Sequence, residues 1–473
     1  MDLHVSLDGS TDLSGQIYRQ IRSAILDNRL RPGEPLPSTR DAAARLSVSR
    51  NTVATAYDHL IAEGFLTSRS GVGTFVSERV RGQDPEPAGA AVPLPTRAIW
   101  DTIRTPPVLS DHDYEFDFRA GMPDAREFPY ATWRALVSDQ LRDSAVGPGA
   151  YGDPAGHLGL RVAIARHIAV SRSVHTTPEQ VIITSGTQQA LDVVARVVIE
   201  PGDVVAVEDP GYLSACLVFA SLGARVVGVP VDDEGLQVDQ LPDNAKLVFV
   251  SPSHQLPLGV RMSLPRRQAL LAWADRVGSV VIEDDYDSEF RFTGRPIEPL
   301  HTLDSSGRVV YIGTFSKTML PTLRLGFCVA PVGLVSPMRK AKYALDWHTA
   351  IPMQAALAEF IDRGLFARHL RRMRTIYQTR RELIAMALER DFSPYLQLIS
   401  SVAGLHLTAT MRSGGPGEAR AWARRARGVG VGIRALSDFA ITPSVTDGLV
   451  FGYGMIATDR IDEGLKRLRA SLD

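Results

Sequence analysis

The sequence predicts a multidomain chain: a small, mainly α head ending in a β-hairpin, followed by a much larger α/β body. Three observations predict it. Apolar residues recur at helical spacing over residues 13–60, residues 66–76 alternate around two glycines, and from residue 181 onward short Val/Ile/Leu runs break into turns and helical stretches.

In the head, Leu13, Ile17, Ile21 and Ile25 give one apolar helix face, and Arg31-Pro32-Gly33 ends that helix. Ser38, in capping-box relation to Asp41, starts a second helix, and Ser49 starts a third containing Val53, Tyr57 and Leu60. Burying those three leaves Arg50, Asn51 and Thr52 facing outward at the amino end, where a recognition helix meets base edges and phosphates. Leu66–Val76 reads as a tight hairpin around Gly71 and Gly73. Through Leu36-Pro37-Ser38-Thr39-Arg40, Ser49-Arg50-Asn51-Thr52-Val53 and Gly71-Val72-Gly73-Thr74-Phe75-Val76, residues 1–80 resemble the GntR-type winged helix-turn-helix. The resemblance implies that Arg40, Ser49, Arg50 and Thr52 contact double-stranded DNA, with Gly71 and Gly73 near the minor groove. Ten arginines against nine acids in residues 1–82 make no strong basic field, so placement rather than net charge supports DNA binding. The competing reading is a helical interaction module without DNA affinity.

Residues 81–113 read as a linker, with Pro85, Pro87, Pro93, Pro95, Pro106 and Pro107 and little periodicity, semi-extended rather than collapsed. The body, residues 114–473, has apolar sequence enough for a large core. Formal net charge is −1, two cysteines make no disulfide framework, and neither has metal-ligand spacing with His. No apolar run approaches a membrane span and Met1-Asp2-Leu3-His4 does not open a signal peptide, so a cytoplasmic protein without a metal or a membrane partner is expected.

The most informative residue is Lys317. The apolar run Val309-Val310-Tyr311-Ile312 delivers it into the polar turn Gly313-Thr314-Phe315-Ser316, and the chain holds only five lysines. The other four, Lys246, Lys340, Lys342 and Lys466, stand where solvated ammonium groups are expected. Lys317 is thus placed to form a Schiff base with an aldehyde cofactor such as pyridoxal 5'-phosphate (PLP). Asp284, at the carboxyl end of the run Ser279–Ile282, would keep the pyridine nitrogen protonated, with Asp285 and Asp287 as competitors, and Tyr286 is the natural donor to the phenolic oxygen. The strand Val181–Thr184 breaks at Ser185-Gly186-Thr187-Gln188 into a helix running to about Ile199, a start that favours phosphate. Thr314, Ser316 and Arg324 would complete the phosphate cup, and Tyr212 would lay its ring on the pyridine.

From about Asp117 the chain resembles the class I/II aminotransferases of PLP fold type I. The residues that carry this are Phe118-(x)2-Gly121-x-Pro123-Asp124, Tyr151-Gly152-Asp153-Pro154-Ala155-Gly156, Ser185-Gly186-Thr187-Gln188, Asp284-x-Tyr286 and Thr314-Phe315-Ser316-Lys317-(x)6-Arg324. That implies a large, mostly parallel-sheet domain, a smaller α/β domain from about residue 331, and a head-to-tail homodimer in which Tyr151 reaches the partner's phosphate site. A GntR-like head on such a body is identified as a member of the MocR-type transcription regulators. Leu256, in Ser251-Pro252-Ser253-His254-Gln255-Leu256-Pro257-Leu258-Gly259, stands where working aminotransferases carry an Asn. Val450 stands where they carry their substrate-carboxylate arginine, leaving Arg434 as substitute anion clamp.

The expected function is a PLP-dependent regulator that senses an amino compound, or PLP itself, through aldimine chemistry at Lys317, on paired DNA half-sites. Any transamination would be weak. The alternative is a genuine aminotransferase with an accessory head, and a third reading is a DNA-binding protein whose body merely dimerises. Ser214, two residues beyond Tyr212, stands where GABA-responsive relatives have an arginine, which argues against GABA and leaves PLP, taurine-like acids and D-amino acids.

Overall fold

The computed structural model describes residues 5–471 apart from 79–93, 104–113, 143–144, 146–148, 295–297, 416 and 443–445. Most of the expected linker therefore lies outside the described residues. The chain divides into two compact units, residues 1–96 and 97–473. Among the described residues, no helix is long and apolar enough to cross a membrane.

The first unit packs helices α1 (Leu13–Leu26), α2 (Thr39–Leu46) and α3 (Arg50–Ala62) around Ile17, Ile21, Ile25, Val53, Ala56, Tyr57 and Leu60, all buried. The caps are those expected. Ser38 Oγ accepts from Asp41 N and Ser49 Oγ from Thr52 N, each satisfying an amide at a helix start. The hairpin is β2 (Leu66–Arg69) with β3 (Gly73–Val76), and β1 (Pro35–Leu36) adds a third strand through Pro35↔Phe75 and Leu36↔Thr74. Two residues are too few to show periodicity, so β1 has no sequence signature. Gly71, at φ +73°, takes the left-handed turn that lets the wing reverse.

The second unit is built on an eight-stranded sheet, β5-β12-β11-β10-β9-β6-β7-β8, comprising β5 (Val181–Thr184), β6 (Val204–Asp209), β7 (Arg225–Asp232), β8 (Gly235–Leu236), β9 (Ala245–Val250), β10 (Val280–Asp285), β11 (Val309–Thr314) and β12 (Gly326–Val329). The pairs β7–β6, β6–β9, β9–β10 and β10–β11 are parallel, whereas β12 runs antiparallel to both its neighbours. Burial on both faces explains why β5, β6, β9, β10, β11 and β12 read as apolar runs rather than alternating ones, whereas β7 is only partly buried. A second sheet, β13 (Leu396–Leu398), β14 (His406–Met411), β17 (Gly448–Gly452) and β16 (Arg434–Ala435), carries the small lobe, and β4 (Phe116–Asp117) pairs in parallel with β15 (Val431–Gly432) as a separate two-stranded sheet.

Two expectations change. Pro331, expected to open the smaller domain, instead opens helices Val332–Asp346 and Ile351–Asp362 whose apolar residues Met338, Ala356 and Leu357 pack in the cores beside the large sheet. Lys342 is not solvated: its side chain is fully buried, and Nζ donates to Asp346 Oδ1 at 2.5 Å. Burial lowers its pKa, and Asp346 opposes that shift.

The head's core predicts its own test. Ile21→Ala should cost about 2–5 kcal/mol of head stability, since Ile21 is wholly buried. Hydrogen exchange should show faster opening across α1 and α3 with the body's large sheet unchanged.

Candidate functional site

The parallel register of β10 and β11 sets the site. Asp284 lies opposite Ile312 and Asp285 opposite Gly313, so both strands end at one edge of the sheet, where Lys317 emerges three residues after β11. A cavity of about 310 Å³ opens there, lined by Gly121, Thr187, Gln188, Tyr212, Asp284, Tyr286, Thr314, Ser316, Lys317, Arg324 and Arg434. Gly186 borders it through Arg324, whose guanidinium would stand 3.0 Å from any Cβ at that position. Tyr151 lies outside the cavity, exposed and stacked on Trp347 at 4.0 Å. The DNA-directed set is on the other unit: Arg40, Ser49, Arg50, Gly71 and Gly73 are exposed, Thr52 is half-buried, and Arg50 Nε donates to Thr39 Oγ1 at 3.3 Å.

Lys317 Nζ donates to Gly121 O at 2.6 Å. Burial lowers its pKa, while Asp287 and Asp284 oppose that fall. Asp284 is 5% exposed, and its Oδ1 has no hydrogen-bond partner among the described residues. Burial, and then the neighbouring Asp285, push its carboxyl up to about 8, against the pull of Lys317. Asp285 is different. Its Oδ2 accepts from Arg172 Nε at 2.6 Å, Tyr311 Oη at 2.6 Å and Ser288 Oγ at 2.9 Å, and it does not line the cavity. Burial alone would raise the Asp285 carboxyl, but Arg172 and these hydroxyls outweigh it and the net direction is down. Asp287 lines the cavity but is engaged by His254.

The phosphate-side residues also converge. The helix Thr187–Val198 starts at Gly186 without a side-chain cap, Thr187 and Gln188 line the cavity, and Arg324, in the left-handed region at φ +51°, turns its Nη2 onto Ser185 O at 2.6 Å. Tyr212 Oη accepts from Gln188 Nε2 at 3.1 Å, tying the ring to that helix start. Arg434, on β16, pairs in register with Val450 of β17. Its guanidinium lies 4.2 Å from the Phe439 ring centre and donates to Asp438 O.

Sequence reading missed His406, Leu405, Asp438 and Phe439, which line the cavity from the small lobe. It also missed the buried group His254, Asp287 and His406, whose ligand-type atoms lie within 4.8 Å of one another. Asp438 and Phe439 could have been found by their closeness to Arg434. His254 and His406 have no such signal, because only the docking of β14 on the loop after β9 brings them together.

The contrast between the two carboxylates is testable. In cofactor-free protein, Asp284→Asn should change stability by less than about 1 kcal/mol, since it replaces an unpartnered group held near its neutral form. Asp285→Asn strands the Arg172 charge and should cost about 3–5 kcal/mol in urea unfolding.

Comparison with known proteins agrees with this arrangement. Residues 126–431 match the family "Aminotransferase class I and II", and residues 13–76 match "Bacterial regulatory proteins, gntR family". The chain is 37% identical to the probable rhizopine catabolism regulatory protein MocR of Rhizobium meliloti, over 98% of this chain and 94% of that one. It is 32% identical to the HTH-type pyridoxine biosynthesis transcriptional regulator PdxR of Corynebacterium glutamicum, over 96% and 95%. The structure of LysN, an α-aminoadipate aminotransferase of Thermus thermophilus complexed with N-(5'-phosphopyridoxyl)-L-leucine, superposes with a TM-score of 0.68 at 29% identity, covering 76% of this chain and 92% of that one.

Proposed function

Because the chain belongs to the MocR-type transcription regulators, a GntR head joined to an aminotransferase-like body, we propose that it binds PLP at Lys317 and uses amine exchange there to sense an amino compound, or PLP itself. The observation that carries this reading is the pairing of a buried lysine with the unpartnered, near-neutral Asp284 in one cavity. An orphaned buried carboxyl at about pKa 8 fits a protonated pyridine nitrogen, which would supply both its missing partner and a compensating charge.

When bound, PLP supplies an aldehyde that condenses with an amine, losing one water, and a ring that withdraws electrons. The chain's residues do the rest. Lys317 Nζ is the amine, held toward its uncharged form by burial, and Gly121 O receives its hydrogen bond when it stands free. Asp284 holds the ring proton, Tyr286 donates to the phenolic oxygen, and Tyr212 covers one ring face. Gly186, Thr187, Gln188, Thr314, Ser316 and Arg324 bind phosphate through amides, hydroxyls and the guanidinium. Tyr151, exposed and outside its own cavity, completes the phosphate site of a second copy in a homodimer.

Arg434, with its guanidinium over Phe439 and no carboxylate among the described residues bonded to it, takes the effector's acid group. An effector shifts the DNA heads only by binding two conformations unequally. Leu256 at the cavity wall and Val450, wholly buried among Ala120, Leu258 and Leu436, put no polar group where turnover would need one. That favours a sensor over an aminotransferase with an accessory head. On DNA, Arg40, Ser49, Arg50 and Thr52 contact the operator from α2 and the start of α3, with Gly71 and Gly73 at the wing.

Two measurements test this reading. The purified protein should show a visible absorption band that borohydride abolishes by fixing the cofactor to Lys317, and Lys317→Ala should show neither the band nor the tryptic adduct. Footprinting the upstream region with and without PLP should show paired protected half-sites. There Arg50→Ala should weaken binding at least several-fold, about 1–3 kcal/mol for a lost arginine–guanine pair, with the visible band unchanged. Turnover of common amino donors at about 1–10³ per second would favour the enzyme instead.

A further inference from the structure

His254 lies behind the cavity wall, 2% exposed, in the loop that follows β9. Its Nδ1 is 3.0 Å from Asp287 Oδ2 and 3.2 Å from Oδ1, and its Nε2 is 3.1 Å from Ser401 Oγ. Ser401 Oγ also lies 3.1 Å from Ala403 O, so the ring is held from its Nε2 side as well. A carboxylate accepts, so the Nδ1 facing Asp287 carries the hydrogen.

Tyr286 Oη lies 3.2 Å from that same Nδ1. A nitrogen bearing hydrogen cannot accept, so the phenol oxygen is the acceptor there and its own proton points elsewhere. Tyr286 lines the cavity, and His254 does not. The histidine is also clamped. A Cβ on Gly404 would stand 1.9 Å from its Cε1 and one on Gly259 3.2 Å from its Nε2, and the His406 ring packs on it at 4.6 Å. Only glycine at both positions leaves room for the ring.

We infer that His254 is a positioning residue, fixed by Asp287 and Ser401, that turns the Tyr286 hydroxyl into an obligate donor toward the cavity. The group it serves is the phenolic oxygen of a bound pyridoxal, so the inference rests on the cofactor reading above. With Leu256 offering no polar atom, Tyr286 is the phenolic donor on this wall, and its direction decides the electron density on the ring. The charged and titratable groups around it are Asp284 and Asp287 of its own strand and loop, Glu208 near the end of β6 and Tyr453 after β17, and Lys317 and His406 line the same cavity.

The test uses the PLP-loaded full-length protein and reads the visible band of the lysine-bound cofactor against pH. Withdrawing a hydrogen bond from the phenolic oxygen leaves more electron density on the nitrogen joined to it, so that nitrogen holds its proton to higher pH. Tyr286→Phe should move the midpoint of the spectral change upward by about one unit. His254→Phe should move it the same way, because Tyr286 is then free to donate to Asp287, and the double variant should move it no further than Tyr286→Phe alone. His254→Gln, whose amide can reach toward Ser401 but loses the Nδ1–H that faces Asp287 and Tyr286, should move it the same way by a smaller amount and covers the case in which His254→Phe does not fold. If Tyr286→Phe shifts the midpoint while His254→Phe and His254→Gln both leave it in place, the inference is wrong. No shift in Tyr286→Phe would overturn the cofactor reading beneath it. Stoichiometric zinc in the purified protein, lost in His254→Gln, would replace the inference with a metal site at His254, Asp287 and His406.

Discussion

The structure of the site depends on one buried ion pair, Arg172 with Asp285. Two consecutive carboxylates end β10, and both cannot remain ionised side by side in a low-dielectric interior. Arg172 reaches across from the helix Leu158–Arg172 and, with Tyr311 and Ser288, absorbs the charge of Asp285. Asp284 is left as the carboxyl without a partner. The same pair anchors the edge of the large sheet where Lys317 emerges, so fold and chemistry share one electrostatic constraint.

The head solves a simpler problem. Its three helices bury a small apolar core, and its caps satisfy the amides at the starts of α2 and α3. Arg50 is then held at the first turn of α3, bonded to Thr39 of α2 rather than loose in solvent. A guanidinium ordered in advance loses less freedom on binding any anion.

Much of this was legible in the sequence because it is local. Helix faces repeat every three or four residues, and β5, β6, β9, β10 and β11 are unbroken apolar runs, so Lys317, Asp284 and the Gly186 helix start could be placed by counting along the chain. What failed was tertiary. Lys342 reads as a surface charge because it sits among Arg339, Lys340 and Tyr343, and only the packing of its helix against the large sheet buries it. Pro331 failed as a boundary for the same reason. His254 is separated from both Ser401 and His406 by more than a hundred residues, and no periodicity links them before the lobes meet.

The cavity wall is drawn from both lobes: Lys317, Asp284 and Tyr212 belong to the large sheet's edge, while Leu405, His406, Arg434 and Phe439 belong to the small one. A molecule seated there acts as a gauge of the gap between them. One that touches Lys317 and Arg434 together contacts both lobes, so its length and the spacing of its charged groups must match the gap between those two side chains.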